Sequence, residues 1–261
     1  MRNYLLLYRS LNRYALRVFK RNFAVFKKTW TANIAFNFIE PLLYLGAMGV
    51  GMGSFVGEIN GLSYIQFIAP AMIASSAMWA AASECTYDSY VRMQHEKIFH
   101  AIAVTPIDLD EVIAGELLTG TFKSVLFGCV ILFVITTLGL VQSAYALFIP
   151  LVLVVSGMIF SELGMIWTGI VAKIDSFSYF FTLIITPMFL FSGVFFPITA
   201  LPASVQTIAW FLPLYHIVVL FRSLALGNIS PMLLAHGLWL LVSAIILFPV
   251  PIRLMRRRLI N

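Results

Sequence analysis

Charge is scarce in this chain of 261 residues: Asp, Glu, Lys and Arg make up 11% of it, against 61% hydrophobic residues and a mean hydropathy of +0.95. A water-soluble globule of this length needs far more polar surface, so the composition excludes one and implies an integral membrane protein. Cysteine is nearly absent. Cys85 and Cys129 form neither a CxxC pair nor any metal-ligand spacing, and both read as small helix residues. There is no GxxxxGK[ST] and no Gly-Lys pair, so the chain lacks the phosphate-cradling loop of a P-loop ATPase and does not drive transport by ATP alone. An unbroken apolar run is also missing from the first 28 residues, which carry eight Lys or Arg. A cleavable signal peptide is therefore not expected.

What is abundant is apolar sequence in lengths that suit a bilayer, whose core of about 30 Å needs about 20 residues of helix. Windows run over 30–53, 64–84, 112–141, 147–172, 176–196 and 232–252, which predicts an all-α membrane protein of six spans. With the basic N-terminus inside, both termini are cytoplasmic. All of the 17 Lys and Arg except Lys123 and Arg222 then lie on the inner side, and the loops 54–63 and 142–146 hold none.

The stretch "SGVFFPITALPASVQTIAWFLPLYHIVVLFRSLALG" (192–227) is apolar enough to enter the membrane but is broken by Pro197, Pro202 and Pro213. If it crossed, "RLMRRR" near the C-terminus would emerge outside, against the charge rule. The prolines divide it into a helix ending near Leu212 and a second over 214–226 capped by Gly227. Both are too short to span, so 197–227 is expected to be an external re-entrant helical hairpin.

Residues 4–21 place Arg9, Arg13, Arg17, Lys20 and Arg21 on one side of a helix and Tyr4, Leu7, Leu11, Ala15 and Val18 on the other. This predicts an amphipathic interface segment over 1–29, its cations toward anionic membrane lipids, ahead of a permease domain over 30–261. Between the second and third spans lies the longest polar insertion, "RMQHEKIFHAIAVTPIDLDEVIAGE" (92–116). A short helix over 93–104 should end before Pro106, and Asp108 with Glu111 should form a capping box for the next helix. That short helix carries Ile98, Phe99 and Ile102 beside Glu96 and Lys97. It suits either docking into a partner's groove or lying on the membrane surface.

Inside the membrane, Asn33, Asn37 and Glu40 share a face of the first span and Glu162 sits in the fourth, where hydrogen bonding between helices is the favoured reading. Ten of the fifteen residues from Ala69 to Ser83 are Ala or Ser, and Gly49 to Gly53 is a GxxxG, which makes both close-packing faces. Phe195, Phe196, Trp210, Phe211 and Tyr215 gather at the hairpin, as a pathway lining or as an interfacial belt. His216 has no second ligand at metal spacing, so no metal site and no catalytic residue is expected. An intramembrane enzyme using Glu84, Asp88 or His216 would need groups on opposite membrane faces. No channel filter motif is visible.

The basic amphipathic N-terminus, "FIEPLLYLGAMGVGMG" (38–53), "RM" (92–93), "AIAVTPIDLDEVIAGE" (101–116) and "TPMFLFSGVFFPITALP" (186–202), taken in order, resemble the type-two ATP-binding-cassette exporter permeases. Within these, the chain is similar to the NodJ-like branch, which exports lipo-oligosaccharides (nodulation factors). The resemblance implies a subunit without a cofactor of its own in the bacterial inner membrane. Two copies of it pair as a homodimer above two cytosolic ATPase subunits that bind ATP and Mg, with no nucleic acid involved. It makes the segment around Arg92, Glu96, Lys97, Ile98, Phe99 and Ile102 a coupling helix. It also puts Phe195, Phe196, Pro197, Pro202, Trp210 and Tyr215 near the exit. The expected cargo is an amphiphilic glycan- or lipid-bearing molecule, with a hydrophobic drug as the alternative.

Overall fold

The computed structural model describes residues 10–59 and 61–260, without the side chains of 31–38, 40, 100, 103 and 260. Arg9, Tyr4 and Leu7 of the basic segment, and the side chains of Asn33, Asn37 and Glu40, therefore lie outside the described residues.

Asn12 starts the first helix, α1 (Arg13–Gly46), by accepting hydrogen bonds on its side-chain oxygen from the backbone N–H groups of Tyr14 and Ala15. At 34 residues, α1 is about 51 Å long, more than a bilayer core requires. The helix continues without interruption through residues 29 and 30, where a boundary between interface segment and permease was expected. Ala15, Val18 and Asn22 are buried, while Arg13, Arg17 and Lys20 stay exposed and Arg21 is half-buried. Ala15 and Val18 of the apolar face thus pack on protein, while Leu11 stays exposed. Beyond α1 a wide π turn (Ala47–Met52) leads into a ribbon of two short strands, β1 (Glu58–Ile59) and β2 (Leu62–Ser63).

Among the described residues, five helical segments are long and apolar enough to cross a membrane: Tyr64–His95, Leu109–Thr137, Ala144–Ile170, Ile174–Phe191 and Met232–Leu259. They overlap five of the six apolar windows, and the shorter apolar helix Pro41–Val56 overlaps the remaining one, 30–53. Tyr64–His95 opens with α2 (Tyr64–Ser83), started by a Ser63–Gln66 capping box, and ends in two π turns, Glu84–Asp88 and Val91–His95. It is the central element, 83% buried along its most apolar window against 22% for Met232–Leu259, because Ala and Ser let neighbours approach closely. Then come α3 (Ile98–Ala103), α4 (Leu109–Thr137), α5 (Ile149–Ile170) and α6 (Ile174–Phe191). Asp108 and Glu111 form the expected capping box, and Glu111 Oε1 also accepts from Asn12 Nδ2 at 2.5 Å, which fastens the first turn of α4 to that of α1.

After α6, α7 (Ala203–Trp210) and α8 (Pro213–Leu226) meet at 88°, with Pro213 in the first turn of α8 and Gly227 ending it at φ 84°. At 8 and 14 residues they extend only about 12 and 21 Å. Last are α9 (Met232–Leu247) and α10 (Pro249–Ile260). The apolar core forms two clusters. The larger runs through the middle and the ribbon end. The smaller, built on Ala15, Val18, Tyr90, Met93, Phe99 and Ile113 with α10, fills the end that carries the 96–108 turn.

Candidate functional site

Seen from the 96–108 turn, the span that leads to it is anchored by charge. Eight residues separate Glu84 from Arg92, and in a regular α-helix that spacing overshoots two full turns by about 80°. The π turn Glu84–Asp88 and the start of the second at Val91 wind more slowly and bring both side chains to one face. Arg92 Nη2 donates to Glu84 Oε1 at 2.5 Å and to Glu116 Oε2 at 2.5 Å, while its Nε reaches the same Glu116 oxygen at 3.1 Å. Glu116 sits one face-repeat before Lys123 on α4, and Lys123 Nζ contacts Glu84 Oε2 and donates to Asp88 Oδ2 at 3.0 Å.

Neutral donors complete the set. Ser89 Oγ donates to Glu116 Oε2 at 2.6 Å, and Asn22 Nδ2 of α1 donates to Glu116 Oε1 at 2.8 Å and to Thr119 Oγ1 at 3.1 Å. Glu84, Glu116 and Lys123 are all buried. Lys123 stands about 21 Å along α4 from Leu109, well inside the apolar span. A cavity of about 300 Å³ opens beside the network, lined by Arg21, Asn22, Asp88, Glu96 and Lys123. Three carboxylates, two cations touching them and a third beside the cavity come close to electrical balance, as burial requires. Three helices, α1, α2 with its π extension and α4, are thereby held in one register.

The turn itself differs from the expected helix over 93–104. Residues through His95 belong to the preceding span, Lys97 takes a left-handed conformation at φ 52°, and α3 covers only Ile98–Ala103. Arg92 and Phe99, expected on a docking face, point inward. Arg92 is committed to two carboxylates, and Phe99 is 1% exposed in the smaller apolar cluster, because a short helix must bury its largest apolar side chain to stay in place. Ile98 and Ile102 are half-buried, while Glu96, Lys97, Ala101 and Val104 are exposed. The C-terminal helix closes around this end: Arg256 Nε pairs with Asp110 at 2.9 Å, and the Arg258 guanidinium donates to the Thr168 carbonyl and stands over the Tyr90 ring.

The residues expected at the exit fall into two groups at the other end of the molecule. Phe195 packs against Phe189 and Tyr44, beside the 192–197 turn that contains Phe196 and Pro197. Trp210 and Tyr215 surround the pair His216 and His236, and Pro202 is exposed ahead of α7. His216 Nε2 lies 2.7 Å from the Trp210 carbonyl and its Nδ1 lies 2.6 Å from His236 Nδ1. A carbonyl only accepts, so Nε2 carries the proton, and His236 Nδ1–H donates to His216. His216 thus joins α7, α8 and α9. Glu162 does not make the interhelical hydrogen bonds expected of it: it is fully buried, and both its carboxyl oxygens lack a partner among the described residues.

Sequence reasoning missed the charge network. Its signal was present in Glu84, Glu116 and Lys123, three charges at or inside apolar windows, but their partner Arg92 was read as belonging to the following loop. The network and turn lie within residues 15–226, the part of the chain that matches the family model described as ABC-2 type transporter. The chain is 36% identical over 246 residues to Nodulation protein J of Rhizobium leguminosarum bv. viciae, covering 94% of this chain and 95% of that one. It is 34% identical over 244 residues to Nodulation protein J of Rhizobium meliloti (strain 1021), covering 94% and 93%. Inner membrane transport permease YadH of Escherichia coli (strain K12) is 28% identical over 214 residues, covering 81% and 83%. With a family match over most of its length and near full-length relatives above 30% identity, this chain belongs to the ABC-2 type transporter family, as one of its multi-pass membrane permeases.

Proposed function

We propose that this chain is the permease subunit of an exporter for an amphiphilic, glycan- or lipid-bearing molecule, and that a separate cytosolic ATPase drives it by pushing on the 96–108 turn. The observation that carries this reading is the mechanical link from the turn to the charge network. Arg92, in the last turn of its span, is bound to Glu84 and Glu116, and Asp110 and Glu111 after the 96–108 turn hold Arg256 and Asn12. A load on Glu96, Lys97 and Val104 is therefore passed to α1, α2, α4 and α10 together. The positive-inside distribution of Lys and Arg supports a cytosolic turn and cytosolic termini. In that orientation the bent pair α7–α8 dips in from the outside with both ends external, which supports six spans.

An apolar groove of about 1,030 Å³ between α5, α8 and α9, lined by Phe148, Leu151, Leu220, Leu234 and Leu238, supports a cargo with a lipid-like part. Two permeases and two ATPases form the working assembly in this reading, and ATP and Mg bind the partner chains.

The test separates docking from folding. Lys97→Glu combined with Val104→Asp changes only exposed side chains. It should abolish co-purification with the ATPase, and with it transport-linked ATP hydrolysis, while leaving the thermal midpoint of the permease unchanged. Phe99→Ala should instead lower that midpoint, because truncating a buried Phe costs about 3–5 kcal/mol. Full ATPase recovery with the double variant removes the turn from the mechanism. For the cargo, stimulation of ATP hydrolysis by glycolipids and not by hydrophobic drugs is expected.

A further inference from the structure

Arg222 of α8 is a cation that neither the network nor the turn uses. It lies near the ribbon end of the molecule, held from two sides: Nε donates to the Phe67 carbonyl at 3.1 Å, Nη2 donates to the Gly193 carbonyl at 2.8 Å, and the guanidinium carbon stands 3.7 Å from the centre of the Phe67 ring. None of the ion pairs among the described residues includes it. A guanidinium has five N–H donors, and these bonds occupy two. The side chain lines a cavity of about 400 Å³ whose other polar residues are Gln142, Ser223 and Asn228, with Leu62 and Leu226 at its apolar part. Among the described residues, no acidic one lines it.

A half-buried cation with its stem and plane fixed, its charge uncompensated and donors to spare is organised to receive an anion. Carbonyl oxygens orient it without neutralising it, so the charge remains available to whatever enters. The cavity is larger than a bare oxyanion needs. Its amide and hydroxyl groups suit the hydroxyls of a headgroup, and its apolar part lies where acyl chains would begin.

We propose that this cavity is a binding site for a phosphate-type anion carried on an amphiphile, a phosphoglycerol headgroup of an anionic lipid, with the phosphate on Arg222 and the glycerol hydroxyls on Gln142, Ser223 and Asn228. The site stands whatever molecule the permease exports. Occupancy joins α2, through Phe67, to α8 and to the turn at Gly193, so the lipid acts as a third contact across the bent pair.

The full chain is placed in phosphatidylcholine nanodiscs and titrated calorimetrically with dihexanoyl phosphatidylglycerol, dihexanoyl phosphatidylcholine and inorganic phosphate. Phosphatidylglycerol is expected to bind and phosphatidylcholine is not. Arg222→Gln should weaken binding at least tenfold, and Arg222→Lys should lose part of the affinity because a point charge replaces the planar fork. Asn228→Glu keeps Arg222 and both its carbonyl bonds but supplies a competing carboxylate. It should match Arg222→Gln, and it decides the matter if Arg222→Gln does not fold. Binding of inorganic phosphate as tight as that of the lipid, lost in the same variants, assigns the site to the free anion and overturns the headgroup. Equal lipid binding by wild type and both variants overturns the site altogether.

Discussion

Replacing Arg92 by Met tests whether the buried charges hold the helices in register. The substitution keeps a long side chain but removes contacts to Glu84 at 2.5 Å, to Glu116 at 2.5 and 3.1 Å and to Ser89 at 3.2 Å. Removing one partner of a buried pair costs about 3–5 kcal/mol, because the other charge is left uncompensated. Here Glu84 keeps Lys123, and Glu116 keeps Asn22 and Ser89, so the lower end, about 3 kcal/mol, is expected. The double variant Arg92→Met/Glu116→Met removes both charges of that pair: Glu84 keeps Lys123, Asn22 keeps Thr119, and the bonds of Asn22 and Ser89 to Glu116 are lost. It should be more stable than the sum of the single effects by about 1–3 kcal/mol. Equilibrium unfolding in mixed micelles, on wild type, both single variants and the double, gives the cycle directly. The pair Arg256 and Asp110, with the arginine 53% exposed and the carboxylate 17% exposed, is the internal control: because the cation stands in solvent, Arg256→Gln should cost less than Arg92→Met, about 1 kcal/mol, and less again at high salt. Additive effects at 92 and 116, or a cost for Arg92→Met no larger than that of Arg256→Gln, would refute the argument.

Two further outcomes follow from packing and topology. A Cβ on Gly115 would stand 2.6 Å from Val18 Cβ and 2.9 Å from the Ala15 carbonyl oxygen, so Gly115→Ala should push the basic arm of α1 off α4 and destabilise by about 1–3 kcal/mol, read by the same unfolding assay; because backbone is part of the clash, Val18→Ala should not restore stability, and full restoration would refute the contact. With Cys85 and Cys129 replaced, single cysteines at Thr199 and Asn228 should both react with a membrane-impermeant thiol reagent added from outside; labelling of Asn228 only after permeabilisation means that α7 and α8 together cross the bilayer.

Local chemistry was the legible part of the sequence. The spans follow from apolar length. The Asp108–Glu111 capping box, the break at Pro213 and the glycine cap at 227 follow from backbone rules that need no knowledge of neighbours. The positions of Phe99 and Arg92 were not legible, because both depend on what the rest of the chain brings alongside. Phe99 and its polar neighbours look like a docking face until the fold buries Phe99 in the cluster that also holds Met93 and Ile113. Arg92 falls at the wrong angle to Glu84 on an ideal helix, and a π turn leaves no composition signature to correct it. The basic arm shows the same limit. Its apolar stripe is equally suited to lipid or to protein, and Gly115, nearly a hundred residues away, decides by admitting Val18.

A span rich in Ala and Ser packs closely almost anywhere along its length, since one small side chain replaces another when the helix slides or rotates. Close packing alone therefore leaves α2 with several registers of similar energy. Charges remove that freedom, because a shift of one residue would tear Arg92 from two carboxylates and strand them in an apolar span. Buried ion pairs contribute little net stability compared with apolar replacements, yet here they select one arrangement from many, much as a single buried polar residue fixes the register of a coiled coil. The network also lies where the helix leaves its regular winding, at the end next to the turn. The small-residue core supplies closeness and the charges supply position. The sequence places the first along α2 and the second between that core and the 96–108 turn.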